Sequence, residues 1–178
     1  MTTINIPTKE QVDDKAKLIL KNLERALGIV PNLYAMIAYS SDVLEGYLNY
    51  SHIVNNTSFN KKELEAIKLA VSEINQCEYC KAAHTAIAKM NGFTEDETIA
   101  IRTAQLSDTR LNVLIMVAQE IAKKKGQLSD ELKEIFFLEK FSNKVLVDLI
   151  AVVNMVSFTN FVHNATQVPL DFPSAPEI

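Results

Sequence analysis

The chain has no tryptophan and, in 178 residues, only four glycines, five prolines, two cysteines and three histidines. Each scarcity excludes something. So little glycine and proline leaves few tight-turn sites, which disfavours a fold of many short strands joined by hairpins. No segment alternates apolar and polar residues as a half-buried strand does. An excess of one charge is missing too: 18 Lys and Arg stand against 22 Asp and Glu, a net charge of -4. The longest basic run, Lys123-Lys124-Lys125, lies beside Gly126, where it suits a helix C-terminus. Without a concentrated positive surface, nucleic-acid binding is not expected. The stretch from Met1 to Lys17 has no apolar core behind a basic start, so it does not read as a signal peptide and a cytoplasmic protein is expected.

Apolar residues at three- and four-residue steps are what the chain has in place of strands, and 48% hydrophobic residues are enough for one domain with a substantial core. Val12, Ala16, Ile19, Leu20, Leu23 and Leu27 form a first stripe, stopped by Gly28. Pro31 opens a short helix through Tyr39, and Ser40, Ser41 or Asp42 can cap the next one through Ile53. Asn60 with Glu63, and Thr94 with Glu97, have the spacing of capping boxes. Further helices are predicted from the cysteine motif to Met90, over Leu111–Ala122 and Asp130–Phe141, and from Ser142 or Asn143 to about Val162. The tail from residue 167 holds three of the five prolines and is expected to run extended over the surface. The expectation is one all-α domain, a helical bundle over residues 1–178 with a redox core at about 42–125.

The most apolar stretch, Val145–Val162, is long enough to prompt a membrane reading. It carries Asp148, Asn154 and Asn160, and a charged group at a bilayer centre costs roughly 2.5–3.5 kcal/mol on insertion scales. A buried bundle helix or an oligomer seam is expected instead.

Both cysteines stand in one motif, Cys77-Glu78-Tyr79-Cys80, with His84 four residues on. A chain without a secretion signal is not where a structural disulfide framework is expected, and two cysteines do not complete a tetrahedral zinc site. Redox use is the reading that remains. On a helix, positions three apart share a face, and Cα atoms one turn apart lie roughly 5–5.5 Å from each other, within reach of a disulfide. His84 falls on the same stripe, one turn beyond Cys80. An unperturbed thiol is only about 3% thiolate at neutral pH, and lowering its pKa by roughly two units, ~2.7 kcal/mol, makes thiolate the majority form. The plainer alternatives are two cysteines packed as small apolar residues beside a core histidine, or a metal site using Cys77, Cys80, His84 and one acid. A carboxylate to orient His84 completes the chemistry, and Glu65 and Glu73 both qualify by spacing.

The run Phe59–Thr85 resembles the carboxymuconolactone decarboxylase and alkylhydroperoxidase D superfamily. Its redox branch carries a Glu, then C-x-x-C twelve residues on, then a His four after the second Cys. Glu65, Cys77, Cys80 and His84 match these positions, while Tyr79 stands where the alkylhydroperoxidase D branch has a histidine. The Val168–Pro176 tail is similar to the end of the peroxidase-related subgroup. The resemblance implies an alkylhydroperoxidase D-like helical fold, a homo-oligomer, and neither metal nor organic cofactor. It also implies a hydroperoxide substrate, an external dithiol reductant, and a Glu65–His84 relay that deprotonates Cys80, with Cys77 as its disulfide partner. The competing expectations are a thiol-disulfide oxidoreductase with little peroxidase activity, a lactone decarboxylase, and a non-catalytic oligomeric binding protein.

Overall fold

The structure, a computed structural model, describes residues 4–178; Met1, Thr2 and Thr3, the first residues of the stretch read above against a signal peptide, lie outside the described residues. Among the described residues there is no strand. A 3-10 turn at Lys9–Gln11 leads into α1 (Asp14–Leu27), α2 (Asn32–Ile37), α3 (Ser41–Val54), α4 (Lys61–Ile74), α5 (Glu78–Met90), α6 (Glu95–Arg102), α7 (Thr109–Lys123), α8 (Asp130–Leu138) and α9 (Asn143–Thr166).

Helix α4 is the axis of the molecule, packing against α5, α6, α7 and α9. Its middle, Leu64–Ser72, is buried at every position, so Ala66, Ile67, Leu69, Ala70 and Val71 meet neighbours on all sides. Both predicted capping boxes form: Asn60 Oδ1 accepts from the Glu63 N–H while Glu63 Oε2 accepts from that of Asn60, and Thr94 and Glu97 do the same at α6. Gly28 closes α1 at φ +80°, a left-handed conformation that costs glycine nothing.

Several expected boundaries move. Helix α1 starts at Asp14 because Asp13 caps it, accepting from the Ala16 N–H at 2.7 Å and from the Ser41 hydroxyl at 2.7 Å. Ser41 is thereby committed to α1. Ser40 occupies the N-cap of α3 without a side-chain cap bond, and Asp42 pairs with Lys15. Helix α2 ends at Ile37 rather than Tyr39, and α8 at Leu138 rather than Phe141. Phe141 instead turns inward and stacks on Phe136 with ring centroids 4.8 Å apart, under the Arg110 guanidinium.

Helix α9 runs past Val162 to Thr166. By length and composition it is apolar enough to cross a membrane. In the fold it packs against α2, α3, α4, α5 and α7, burying Leu149, Val152, Val153, Met155 and Val156 in the core. Asp148, which weighed against a membrane reading, bonds Lys144 and the hydroxyl of Ser58.

Candidate active site

Three residues join α4 to α5, and Gln76 among them takes φ +52° to reverse the chain. The two helices pack side by side. That antiparallel return brings Glu65, in the second turn of α4, beside His84 on α5, 19 residues away in sequence. The hinge is held from outside. Asn75 Nδ2 donates to Asn160 Oδ1 at 2.8 Å and to Ser157 Oγ at 3.1 Å. Asn160 Nδ2 donates to Ser72 Oγ at 3.2 Å, and Asn164 Nδ2 donates to the Asn75 carbonyl at 2.7 Å. These asparagines of α9 were not among the residues singled out for the site. Their signal was present, since a fully buried Asn160 in an apolar run must find partners.

Cys77 is the N-cap of α5, not part of its helical stripe. Its backbone is extended, its N–H donates to the Ser72 carbonyl at 3.0 Å, and its sulfur accepts from the Cys80 N–H at 3.2 Å. The N-cap and the third helical residue are still one turn apart, so the Cα–Cα distance is 5.3 Å, and the two cysteines are joined as a disulfide. Both sulfurs sit at the positive end of α5, where exposed backbone N–H groups favour anionic sulfur once the bond is reduced. Cys77 is fully buried and Cys80 is 2% exposed.

Glu65 bridges two nitrogen-bearing side chains. Its Oε2 lies 2.8 Å from His84 Nδ1 and its Oε1 2.9 Å from Lys68 Nζ. Burial pushes the Glu65 carboxyl up, but the His84 ring and the Lys68 ammonium outweigh it and hold the pKa down at about 2. An ionised carboxylate only accepts hydrogen bonds, so Nδ1 carries the proton and Nε2 keeps its lone pair for another. Glu73, the other candidate carboxylate, is engaged elsewhere: its Oε2 accepts from Arg102 Nε at 2.6 Å and lies 4.0 Å from Lys81 Nζ. Among the described residues no three of His, Cys, Asp and Glu are gathered as a metal site.

Cys80 and His84 line a cavity of about 330 Å³. Its other walls are Leu33, Tyr34, Tyr47, Tyr79, Ala83, Thr159 and Phe172, and its rim includes Leu27 and Ile29, 54% and 50% exposed, so it reaches the surface. Cys77 does not line it and lies beneath, packed with Leu33, Met36 and Val168. The extended tail covers this end of the molecule. Val168 is buried against the cysteines, Phe172 meets the Tyr79 ring edge-on at 5.7 Å, and Asp171 Oδ2 accepts from the Asn32 N–H at 2.6 Å. Farther on, Arg102 Nη1 donates to the Pro176 carbonyl.

Among curated proteins none matches the sequence. Solved structures do match in fold. An uncharacterised peroxidase-related protein from Silicibacter sp. TM1040 is 21% identical with a TM-score of 0.80, covering 94% of this chain and 91% of its own. An alkylhydroperoxidase AhpD core, an uncharacterised peroxidase-related protein from Ralstonia eutropha JMP134, is 20% identical at TM-score 0.82 with the same coverages. The debrominase Bmp8 is 16% identical at TM-score 0.79, covering 96% of this chain and 93% of its own. Residues 41–114, which hold Glu65, Cys77, Cys80 and His84, match the carboxymuconolactone decarboxylase family. The chain is an all-α protein of alkylhydroperoxidase D-like fold whose residues 41–114 are similar to the carboxymuconolactone decarboxylase family.

Proposed function

We propose that the protein is a thiol peroxidase that reduces organic hydroperoxides through Cys80 and is restored by an external dithiol. In the reduced protein, His84 Nε2 takes the Cys80 proton and Glu65 balances the imidazolium. The Cys80 thiolate attacks the distal oxygen of the hydroperoxide. The O–O bond breaks, sulfur gains an oxygen as sulfenic acid, and the leaving alkoxide takes the Cys77 proton to become the alcohol. The Cys77 thiolate then attacks the sulfenic sulfur. Hydroxide leaves, takes the proton stored on His84 and departs as water, and the Cys77–Cys80 disulfide remains. Thiol-disulfide exchange with a dithiol returns both thiols.

One observation carries this reading: the Glu65–His84 hydrogen bond orients an imidazole that shares a substrate-sized cavity with Cys80, while Cys77 lies directly behind Cys80 instead of on the cavity wall. The fold alone does not choose the chemistry, since a structurally similar chain is a debrominase. Lactone decarboxylation has no use for a cysteine pair joined as a disulfide. The test measures cumene hydroperoxide consumption with dithiothreitol as reductant. Cys80→Ser is expected to abolish turnover, and Cys77→Ser to form a dimedone-trapped sulfenic acid once without cycling. Undiminished turnover in Cys80→Ser rules the proposal out.

We further propose that the working form is a homo-oligomer. Val147, Ile150, Asn154 and Phe161 follow three-, four- and seven-residue steps on α9, so they share an outward stripe. Val147 and Phe161 are 65% and 60% exposed, and Val43 and Tyr50 of α3 flank Asn154 beside them. A second copy of the chain supplies the complementary face.

A further inference from the structure

Tyr34 and Tyr47 are half-buried phenols on the wall of the cavity that holds Cys80 and His84, and the steps above use neither. Their rings are 6.1 Å apart between centroids, and Thr159 lies on the same wall. Proton counting decides what this cluster does. The Thr159 hydroxyl donates to the Val156 carbonyl at 2.8 Å, so Thr159 has only lone pairs to offer Tyr47. Tyr47, with the oxygens of Thr159, Ser51 and Tyr34 near it, has acceptors for its own proton. With its own proton engaged by those oxygens, Tyr47 leaves the Tyr34 O–H available to donate into a cavity lined mostly by apolar side chains. Burial pushes both phenols up from their ordinary value, so both stay protonated at neutral pH.

An organic hydroperoxide whose distal oxygen meets Cys80 places its leaving oxygen and its apolar group farther into this cavity. The leaving oxygen takes on negative charge as the O–O bond breaks, and in an apolar cavity a fixed donor aimed at that oxygen lowers the barrier. We propose that Tyr34 is a catalytic hydrogen-bond donor to the leaving oxygen of the hydroperoxide, held in place by Tyr47. The assignment rests on the peroxidase reading above. No proton is transferred in this contact; the alkoxide still receives its proton from Cys77, and Tyr34 stabilises the charge until it does.

A donor of this kind matters in proportion to the charge that develops, which separates it from a packing role. Reduced protein is mixed in single turnover with cumene hydroperoxide, whose leaving group is a basic alkoxide, and with 3-chloroperoxybenzoic acid, whose leaving group is a weakly basic carboxylate. The remaining thiols are counted after rapid quench, since the chain has no tryptophan to report the reaction. Iodoacetamide alkylation provides a third reaction without a leaving oxygen. Tyr34→Phe is expected to slow cumene hydroperoxide roughly 10- to 100-fold, while the peracid and iodoacetamide rates change by no more than about twofold. Tyr47→Phe, which keeps the Tyr34 hydroxyl but removes the group that holds it, is expected to slow cumene hydroperoxide less than Tyr34→Phe does, again with the peracid and iodoacetamide rates changed by no more than about twofold. Equal slowing of all three reagents by Tyr34→Phe, or no slowing of any, overturns the assignment. A wild-type protein that alkylates readily but reacts with neither peroxide overturns the peroxidase reading itself, and the role of Tyr34 with it.

Discussion

Glu65 is a carboxylate 9% exposed at its side chain, with a histidine on one oxygen and a lysine on the other. Replacing it with Gln keeps the shape but removes the charge that balances the imidazolium. Glu65→Gln is expected to lower the single-turnover rate with cumene hydroperoxide by roughly 100-fold, within the range that general-base assistance supplies. A rate within threefold of wild type removes the relay. The same residue makes stability depend on pH. Its pKa in the fold, about 2, lies below the ordinary 4.5, so ionised Glu65 stabilises the fold above pH 4.5. That contribution is lost as pH falls from 4.5 towards 2. Urea midpoints across this window are expected to fall more steeply for wild type than for Glu65→Gln, and parallel curves contradict the sign. At this scale spacing offered two acids and no means to choose, and only the family resemblance pointed to Glu65. Glu73 and Glu65 both suit by spacing, and only the position of Arg102, 29 residues beyond Glu73, commits Glu73 elsewhere.

Helix ends were legible wherever the decisive bond is local. Asn60 with Glu63 and Thr94 with Glu97 satisfy backbone N–H groups three residues away, so their spacing foretold both caps. Ends decided by distant partners were not legible. Ser41 gives its proton to Asp13, and Phe141 leaves the helix to stack on Phe136. The hinge before Cys77 belongs to the second kind, since asparagines of α9 clamp it. Asn160→Leu leaves Ser72 and Asn75 short of partners and is expected to destabilise the fold by about 2–3 kcal/mol, read from urea unfolding. Stability equal to wild type shows that the clamp holds nothing. The tail is an element in its own right, buried at Val168 and pinned at Asp171 and Phe172. Removing residues 168–178 is expected to speed maleimide labelling of Cys77 in the reduced protein, with peptide mapping to separate it from Cys80. Unchanged labelling means that the tail does not cover the inner thiol.

At the scale of the whole molecule, the exposed apolar stripe on α9 is the face that a second copy of the chain would cover. Phe161→Glu combined with Val147→Glu is expected to convert an oligomer into monomers in sedimentation velocity, with helix content preserved by circular dichroism. A wild-type protein that sediments as a monomer at working concentration rejects the second-copy proposal. The all-helical class followed from the sequence alone, because residues recurring at three- and four-residue steps bury one face of a helix and no alternating run offers a strand. The disulfide spacing also followed, because residues three apart at a helix start are one turn apart whether the first is a cap or a helical position. Spacing left open which carboxylate meets His84 and which cysteine faces the cavity, where the resemblance pointed to Glu65 and Cys80; tertiary structure alone sets these contacts and brings three hydroxyls from α2, α3 and α9 beside them. Each of these depends on the position and rotation of one helix against another. Those are set by how whole faces pack, and no local spacing encodes them.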